Sequence, residues 1–126
     1  MITGIGVDIL SLGWLATMPD KEGFFRQVLT SAELRDAPQG ERRDAFCGRL
    51  CAAKEAVLKA LGCGFRPGFS WHDITVVDGF RVSLSGKIRE LAEGQSIEHI
   101  HVSHSSSTHH AVAIALLETN TPEGTP

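Results

Sequence analysis

Apolar and polar residues alternate near the start of the chain, in the stretch GIGVDIL at positions 4–10. Ile5, Val7 and Ile9 stand at every second position, the pattern of a half-buried strand whose side chains point alternately to two faces. Asp8 falls on the opposite face with two glycines, which leave space beside its carboxylate for a ligand or another backbone. The pattern predicts a strand with one apolar face, on which Asp8 is either a site residue or a strand-end acid facing water.

The longest regular pattern is helical and runs through RRDAFCGRLCAAKEAVLKALG at positions 42–62. Its apolar residues recur at helical spacing and form a stripe that we expect to face the core: Phe46, Leu50, Ala53, Val57 and Leu61. Gly62 and Gly64 then predict the end of the helix, because glycine readily adopts the left-handed conformation found after helices.

Shorter elements surround this helix. Thr30 and Glu33 match the capping box S/T-x-x-E, which predicts a short helix that ends before Pro38. Asp78-Gly79 separates two apolar runs and predicts a β-hairpin. The other predicted elements are a strand over 2–10, helices over 21–29 and 87–94, and two closing strands over 97–105 and 111–118.

The last predicted strand, AVAIALLE, alternates alanine with larger apolar residues. Ala111, Ala113 and Ala115 share one face, and a face of small side chains allows another element, such as a neighbouring subunit, to pack closely. Together the elements predict an α+β domain over residues 1–118 and a disordered tail over 119–126.

Composition limits the classes of protein to which the chain can belong. Its 126 residues suffice for one domain, with 42% apolar and 21% charged residues as in ordinary globular proteins. The net charge of −3 provides no basic surface for nucleic acid or an anionic membrane. No apolar run approaches the roughly 18 residues of a membrane span. The start MITGIGVD also lacks the basic segment of a signal peptide. We therefore expect neither a nucleic-acid nor a membrane partner.

The cysteines and histidines suggest no strong metal motif. Cys47, Cys51 and Cys63 are odd in number and form no CxxC pair, which favours a reducing, cytoplasmic location. His99 and His101 would project from one face of a strand, a spacing that can bind a metal. No thiol or carboxylate follows at a familiar zinc-site interval, so a small metal-binding module is kept only as an alternative, to be tested by zinc binding.

Charged residues on the long helix provide candidate chemistry. Glu55 lies opposite the apolar stripe and Lys59 follows one turn later, an arrangement that is commonly a plain surface pair worth a few tenths of a kcal/mol. Asp8 on the strand and Glu55 on the helix could instead share Mg²⁺, which prefers one or two carboxylates with water and phosphate. Arg49 and Lys54 would then suit a phosphate-bearing substrate. Periodicity alone does not decide whether the two acids meet.

Four motifs resemble the holo-acyl-carrier-protein synthase family, the small 4′-phosphopantetheinyl transferases. They are GIGVDIL, RLCAAKEAVLKALGCGF, WHDITV and HVS…AVAIALLE, in the family's order and spacing over about residues 2 to 118. The resemblance implies an α+β fold with an antiparallel sheet packed against one long helix and shorter helices. It also implies an enzyme that moves phosphopantetheine from coenzyme A to a serine of an apo acyl carrier protein, releasing adenosine 3′,5′-bisphosphate.

The resemblance also implies roles for single residues. Asp8 and Glu55 would be catalytic and would bind Mg²⁺, with Glu55 helping to take the serine proton. Lys59 would be catalytic and pair with phosphate oxygens, and Arg49 and Lys54 would be weaker contacts to coenzyme A. The short chain implies a homotrimer with sites between neighbouring subunits.

Two departures from the family pattern stand out. Trp14 occupies the place of a usual arginine, and Ser106 occupies the place of a usual histidine. They suggest a divergent member, with a specialised polyketide or fatty-acid pathway as one candidate. A non-catalytic relative that binds a carrier protein or coenzyme A is the alternative.

Overall fold

A computed structural model describes residues 1–120. The predicted disordered tail lies outside the described residues from position 121 onward, while Thr119 at its start still pairs its backbone N–H with Met1 O at 2.9 Å. The strands are β1 (Ile2–Ser11), β2 (Ile74–Val77), β3 (Arg81–Leu84), β4 (His99–Ser106) and β5 (His110–Glu118). The helices are α1 (Leu12–Ala16), α2 (Lys21–Val28), α3 (Ser31–Asp36), α4 (Arg43–Ala60) and α5 (Gly86–Gly94), with 3₁₀ turns at Gly40–Arg42 and Trp71–Asp73.

The strands form one antiparallel sheet of five in the order β1-β5-β4-β3-β2. Asp8 on β1 pairs with Ala113 on β5, in the middle of the longest ladder. The β2–β3 hairpin turns at Asp78 and Gly79, whose φ angles of 54° and 81° are those that favour an Asp-Gly turn. The predicted hairpin is thus confirmed.

Helix α4 packs against one face of this sheet, and small residues make that packing possible. A methyl group on Gly6 would lie 1.9 Å from the Ala56 carbonyl oxygen, and one on Gly4 would lie 2.3 Å from that of Ala60. The alanines of β5 at positions 111, 113 and 115 are fully buried on the same face. The glycines beside Asp8 predicted the close approach of a ligand or another backbone, and helix α4 is the backbone that approaches.

On β1 and β5 the opposite face of the sheet is apolar and exposed, which corrects two expectations. Ile5, Val7 and Ile9 are 61%, 48% and 64% exposed, so the branched face of β1 is not the buried one. The alanine face of β5 is covered by this chain's own helix, whereas Val112 and Ile114 face outward. The physical reason is that close approach of a helix requires glycine and alanine, which reverses the usual inward placement of large apolar residues.

The helix ends follow the sequence signals. Thr30 and Glu33 form the predicted capping box at the start of α3. Helix α4 ends in a Schellman motif, in which Gly62 N–H bonds to Lys59 O and Cys63 N–H bonds to Leu58 O. Helix α1 was not predicted, because five residues are too few to show a period; Ser11 caps it by accepting from Trp14 N–H.

Candidate active site

Asp8 and Glu55 line one cavity of about 290 Å³. Asp8 reaches it because it shares the helix-facing side of β1 with Gly6. Glu55 reaches it because it precedes Ala56, the residue on which Gly6 packs. The rest of the lining is mostly apolar: Leu10, Trp14, Phe24, Val28, Cys51, Ala52 and Trp71. The fold thus brings together two acids that lie 47 positions apart in the sequence.

The electrostatics of the cavity suit a cation. Burial raises the pKa of Glu55, and the nearby negative charge of Asp8 raises it further, while Lys59 opposes both. Residues 1–120 contain no cluster of three or more His, Cys, Asp or Glu side chains able to hold a metal. Mg²⁺ needs only one or two carboxylates when water and phosphate complete its shell, so this pair fits magnesium.

Lys59 bonds to one of these acids. Its Nζ donates to Asp8 Oδ1 at 2.8 Å and to Val7 O at 3.1 Å. The bond to Asp8 raises the pKa of Lys59, whose side chain remains half-exposed. Lys59 is therefore a half-exposed cation at the edge of the acid pair, bonded to one of its two members.

Lys54 lies behind the cavity wall, in the protein interior, and does not fit its predicted phosphate contact. Its Nζ is 2.7 Å from Glu33 Oε1 in the interior and also donates to Val28 O and Trp71 O. Burial lowers the pKa of Lys54 although the Glu33 charge opposes this. An ammonium whose three hydrogens are all used in the protein interior has none left for a phosphate.

Arg49 lines a second cavity, of about 420 Å³, together with Arg42 and Ser106. Its Nη1 donates to Ser106 Oγ at 2.9 Å, and its guanidinium lies 5.8 Å from the centre of the Phe46 ring. Sequence reasoning missed Arg42, although the Arg-Arg pair that opens the long helix was a visible signal. The two cavities share no lining residue.

Trp14 lies at the rim of the acid-bearing cavity. Its side chain is half-exposed and meets the edge of Phe24, with ring centres 6.0 Å apart. It is therefore not a core residue.

The histidine-rich stretch gives the metal-module alternative little support. His101 Nε2 lies 2.9 Å from Glu118 Oε1, and the His99 ring is 6.2 Å from that of His101. All three side chains point to solvent or to one another, without the closed set of ligands that a structural zinc site uses.

Comparison with known proteins places the chain in a family. Residues 4–115 match the model of the 4′-phosphopantetheinyl transferase superfamily. The chain belongs to this superfamily. A holo-(acyl-carrier-protein) synthase of Vibrio cholerae is 37% identical over 124 residues, which cover 94% of this chain and 98% of that one. A synthase of Hydrogenovibrio crunogenus is 34% identical over the same coverage.

Solved phosphopantetheinyl transferases share the fold. The holo-(acyl-carrier-protein) synthase of Neisseria meningitidis superposes with a TM-score of 0.80 at 30% identity, covering 94% of this chain and 100% of that one. The Bacillus anthracis synthase, solved in complex with coenzyme A (3′,5′-ADP), gives 0.74 at 32% identity, covering 95% and 99%.

The predicted family, the α+β fold and the enzymatic activity are thereby confirmed. The chain is a transferase that moves phosphopantetheine from coenzyme A to an apo acyl carrier protein. The alternative of a non-catalytic relative is not supported by these similarities. No helix within residues 1–120 is both long and apolar enough to cross a membrane.

Proposed function

We propose that Asp8 and Glu55 together bind the Mg²⁺ that supports phosphopantetheine transfer. The observation that carries this proposal is their common cavity, in which burial and mutual repulsion raise the pKa of Glu55. A cation bound between the two carboxylates would offset both the burial of the Glu55 charge and its repulsion by Asp8.

The chain's own residues supply the remaining chemistry. The attacking group is the carrier's serine hydroxyl, which forms a bond to the β-phosphorus of coenzyme A while the bond to adenosine 3′,5′-bisphosphate breaks. Glu55 lines this cavity, where its carboxylate is placed to accept the serine proton. Lys59 offers its N–H groups to the phosphate oxygens when it leaves Asp8. A bound magnesium ion would neutralise phosphate charge at this place.

Coenzyme A extends from this site to the arginine-bearing cavity in our proposal. Arg42 and Arg49 line a space large enough for part of a nucleotide, and guanidinium groups bind phosphate with two parallel hydrogen bonds. The Bacillus anthracis relative is solved with this co-substrate.

Two features support a homotrimer with sites between subunits as part of this proposal. The acid-bearing and arginine-bearing cavities have separate linings, so one coenzyme A could take each from a different subunit. The exposed side chains of Ile5, Val7, Ile9, Val112 and Ile114 also form a contiguous apolar face. Such a face on a folded domain is usually an interface, and here we assign it to copies of the same chain.

The carrier protein approaches the rim of the acid-bearing cavity in this proposal. Trp14 supplies a rigid apolar surface there, a kind of side chain that is enriched at the centres of interfaces. An apolar rim instead of an arginine is consistent with a carrier of a specialised fatty-acid or polyketide pathway.

A cytoplasmic location accords with the thiols. Cys47, Cys51 and Cys63 are all unbridged. Burial raises the pKa of Cys47 to about 11 and that of Cys51 to about 12, which makes both thiols inert packing residues.

Intact-mass measurement tests the proposal directly. Candidate apo carrier proteins are incubated with coenzyme A and this protein, with Mg²⁺ or with a chelator. We expect a mass gain equal to phosphopantetheine on the carrier with Mg²⁺ and none with the chelator. Equal transfer in both samples would contradict the magnesium assignment.

A further inference from the structure

Lys54 and Glu33 form an ion pair directly behind the wall of the acid-bearing cavity. The exposed fractions of their side chains are 0% and 1%, and Lys54 Nζ lies 2.7 Å from Glu33 Oε1. A buried ion pair is weak support for stability, because desolvation of the two charges can cost more than their attraction returns. A role in keeping one specific arrangement of the surrounding backbone accounts better for this pair.

The two other bonds of Lys54 show which backbone it holds. Its Nζ donates to Val28 O at 2.8 Å and to Trp71 O at 3.2 Å. The side chains of both acceptor residues line the cavity that contains Asp8 and Glu55. Val28 also ends helix α2, where the last carbonyl groups have no partner within the helix. One ammonium group therefore joins two separate segments of the cavity wall.

Glu33 keeps that ammonium in place. Its Oε1 accepts from Thr30 N–H and its Oε2 accepts from Val76 N–H, each at 2.7 Å. The carboxylate is thus fixed by the start of helix α3 and by strand β2. A second bond joins the same two segments: His72 Nε2, in the 3₁₀ turn at Trp71–Asp73, lies 2.9 Å from Arg26 O in the last turn of helix α2.

We propose that Lys54, oriented by Glu33, is a positioning residue that sets the distance between Glu55 and the wall formed by Val28 and Trp71. Lys54 immediately precedes Glu55 on α4, so any shift of one backbone moves the other. The inference rests on the proposed function of this cavity. Lys54 itself touches no substrate. Its effect is geometric, and a displacement of about 1 Å in a catalytic arrangement can lower a rate by about 100-fold.

The test compares two double variants that each remove one ion pair between neighbouring segments. Glu33→Gln/Lys54→Met keeps the approximate shape of both side chains but only one of the two backbone bonds of position 33, because an amide nitrogen cannot accept. It also removes the ammonium from Val28 O and Trp71 O, which Glu33→Gln alone retains. The control is Lys21→Met/Asp44→Asn, which removes the ion pair of 2.9 Å between α2 and α4 at residues outside the cavity lining. Both are assayed well below their melting temperatures, with kcat and KM measured separately for coenzyme A and for the carrier.

We expect Glu33→Gln/Lys54→Met to lower kcat by about 10- to 100-fold while the KM for coenzyme A stays within about threefold, since Arg42 and Arg49 are untouched. The control should stay near the wild-type values. In a Trp14→Phe background, emission of the remaining Trp71 should shift in the first variant and not in the second. A purely structural pair would leave kcat and emission at the control values, and that result would overturn the inference.

The single variant Glu33→Gln decides the matter if the double variant does not fold. It loosens the ammonium without removing it, so kcat should fall by about threefold or more at unchanged KM for coenzyme A. A kcat equal to that of the control would overturn the inference. Inactivity of the wild-type protein itself would instead count against the proposed function.

Discussion

Glu55 and Lys59 place charges of opposite sign beside Asp8. Glu55 brings a second negative charge into a partly buried cavity, whereas Lys59 cancels the charge of Asp8 with a bond of 2.8 Å. The chain thus balances the negative charge of Asp8 with Lys59, whereas a negative charge on Glu55 remains unfavourable because of burial and the nearby Asp8. A divalent cation would compensate both and would release Lys59 toward phosphate.

Neutral variants of the two acids should separate metal binding from folding. We expect Asp8→Asn and Glu55→Gln each to lower transfer by about 100-fold or more and to abolish calorimetric Mg²⁺ binding. Without magnesium, Glu55→Gln should melt no lower than the wild type, because the raised pKa of Glu55 shows that its charged form is disfavoured in the fold. Glu90→Gln, on the exposed side of α5, is the control. Near-native turnover of either site variant at limiting Mg²⁺ would remove that residue from the site.

Trp14 gives a second prediction at this scale. The residue is half-exposed at the cavity rim, so Trp14→Ala should raise the KM for the carrier with little loss of melting temperature. Trp14→Arg should shift preference toward strongly acidic carriers and make the KM rise with salt, because screening weakens exposed ion pairs more than apolar contacts. A large drop in melting temperature with unchanged carrier affinity would show that Trp14 stabilises the fold instead.

His104 gives a pH-dependent prediction. Its Nε2 bonds to Gly79 O, its Nδ1 is buried and has no hydrogen-bond partner within residues 1–120, and burial lowers the pKa of the ring. Below the ordinary histidine pKa of about 6.5, His104 is protonated in the unfolded chain but stays neutral in the folded chain until a lower pH. Acid therefore destabilises the fold. The wild type should therefore lose more melting temperature than His104→Gln between about pH 7.5 and about pH 5. Equal losses would contradict this account.

At the scale of elements, the distance between β1 and α4 depends on Gly6. An added methyl group would meet backbone atoms, which cannot move aside as a flexible side chain can. We expect Gly6→Ala to lower the free energy of unfolding by about 3 kcal/mol in urea titration. Gly13→Ala is the matched control, because its methyl group would lie 3.7 Å from Ser11 Oγ and helix α1 would gain a better helix former. Equal stability of the two variants would show that the sheet and helix can separate freely.

The elements themselves were largely predictable from the sequence, and their faces were not. Periodicity located α4 and the longer strands because each is long enough to repeat, and the Asp78-Gly79 turn located the two short strands β2 and β3. It misassigned the faces of β1, since large apolar residues are normally expected inside and here glycines pack against the helix. Likewise, Glu33 was visible only as a capping residue. Its second oxygen and its partner Lys54 depend on contacts between segments far apart in the chain.

The same limit applies to the site. Asp8 and Glu55 were candidates by residue type, and the family resemblance assigned them as a pair. Only the packing of β1 on α4 places them in one cavity. The Arg-Arg pair beside the arginine-bearing cavity was visible in the sequence, but the bond between Arg49 and Ser106 was not, because the two residues lie 57 positions apart and meet only where α4 packs on the sheet.

At the scale of the whole molecule, the exposed apolar face predicts the assembly. Val7 and Ile114 are paired across β1 and β5 at the middle of this face, and both are exposed in the single chain. A glutamate there should therefore not disturb the fold but should be unacceptable between subunits. We expect the wild type to sediment as a trimer and Val7→Glu as an inactive monomer with native circular dichroism. Phe80→Glu, an equally exposed residue on the hairpin, should remain trimeric and active.

Mixing of inactive variants tests whether neighbouring subunits share a site. In a trimer whose acids and arginines come from different subunits, Glu55→Gln and Arg49→Ala chains would each supply the half that the other lacks. Random coassembly should then restore about one quarter of the sites, because each interface needs one specific ordered pair of chains. If each chain carried a complete site, coexpression would restore nothing. An active wild-type monomer in sedimentation equilibrium would also exclude the shared site, since the apolar face would then have no role in catalysis.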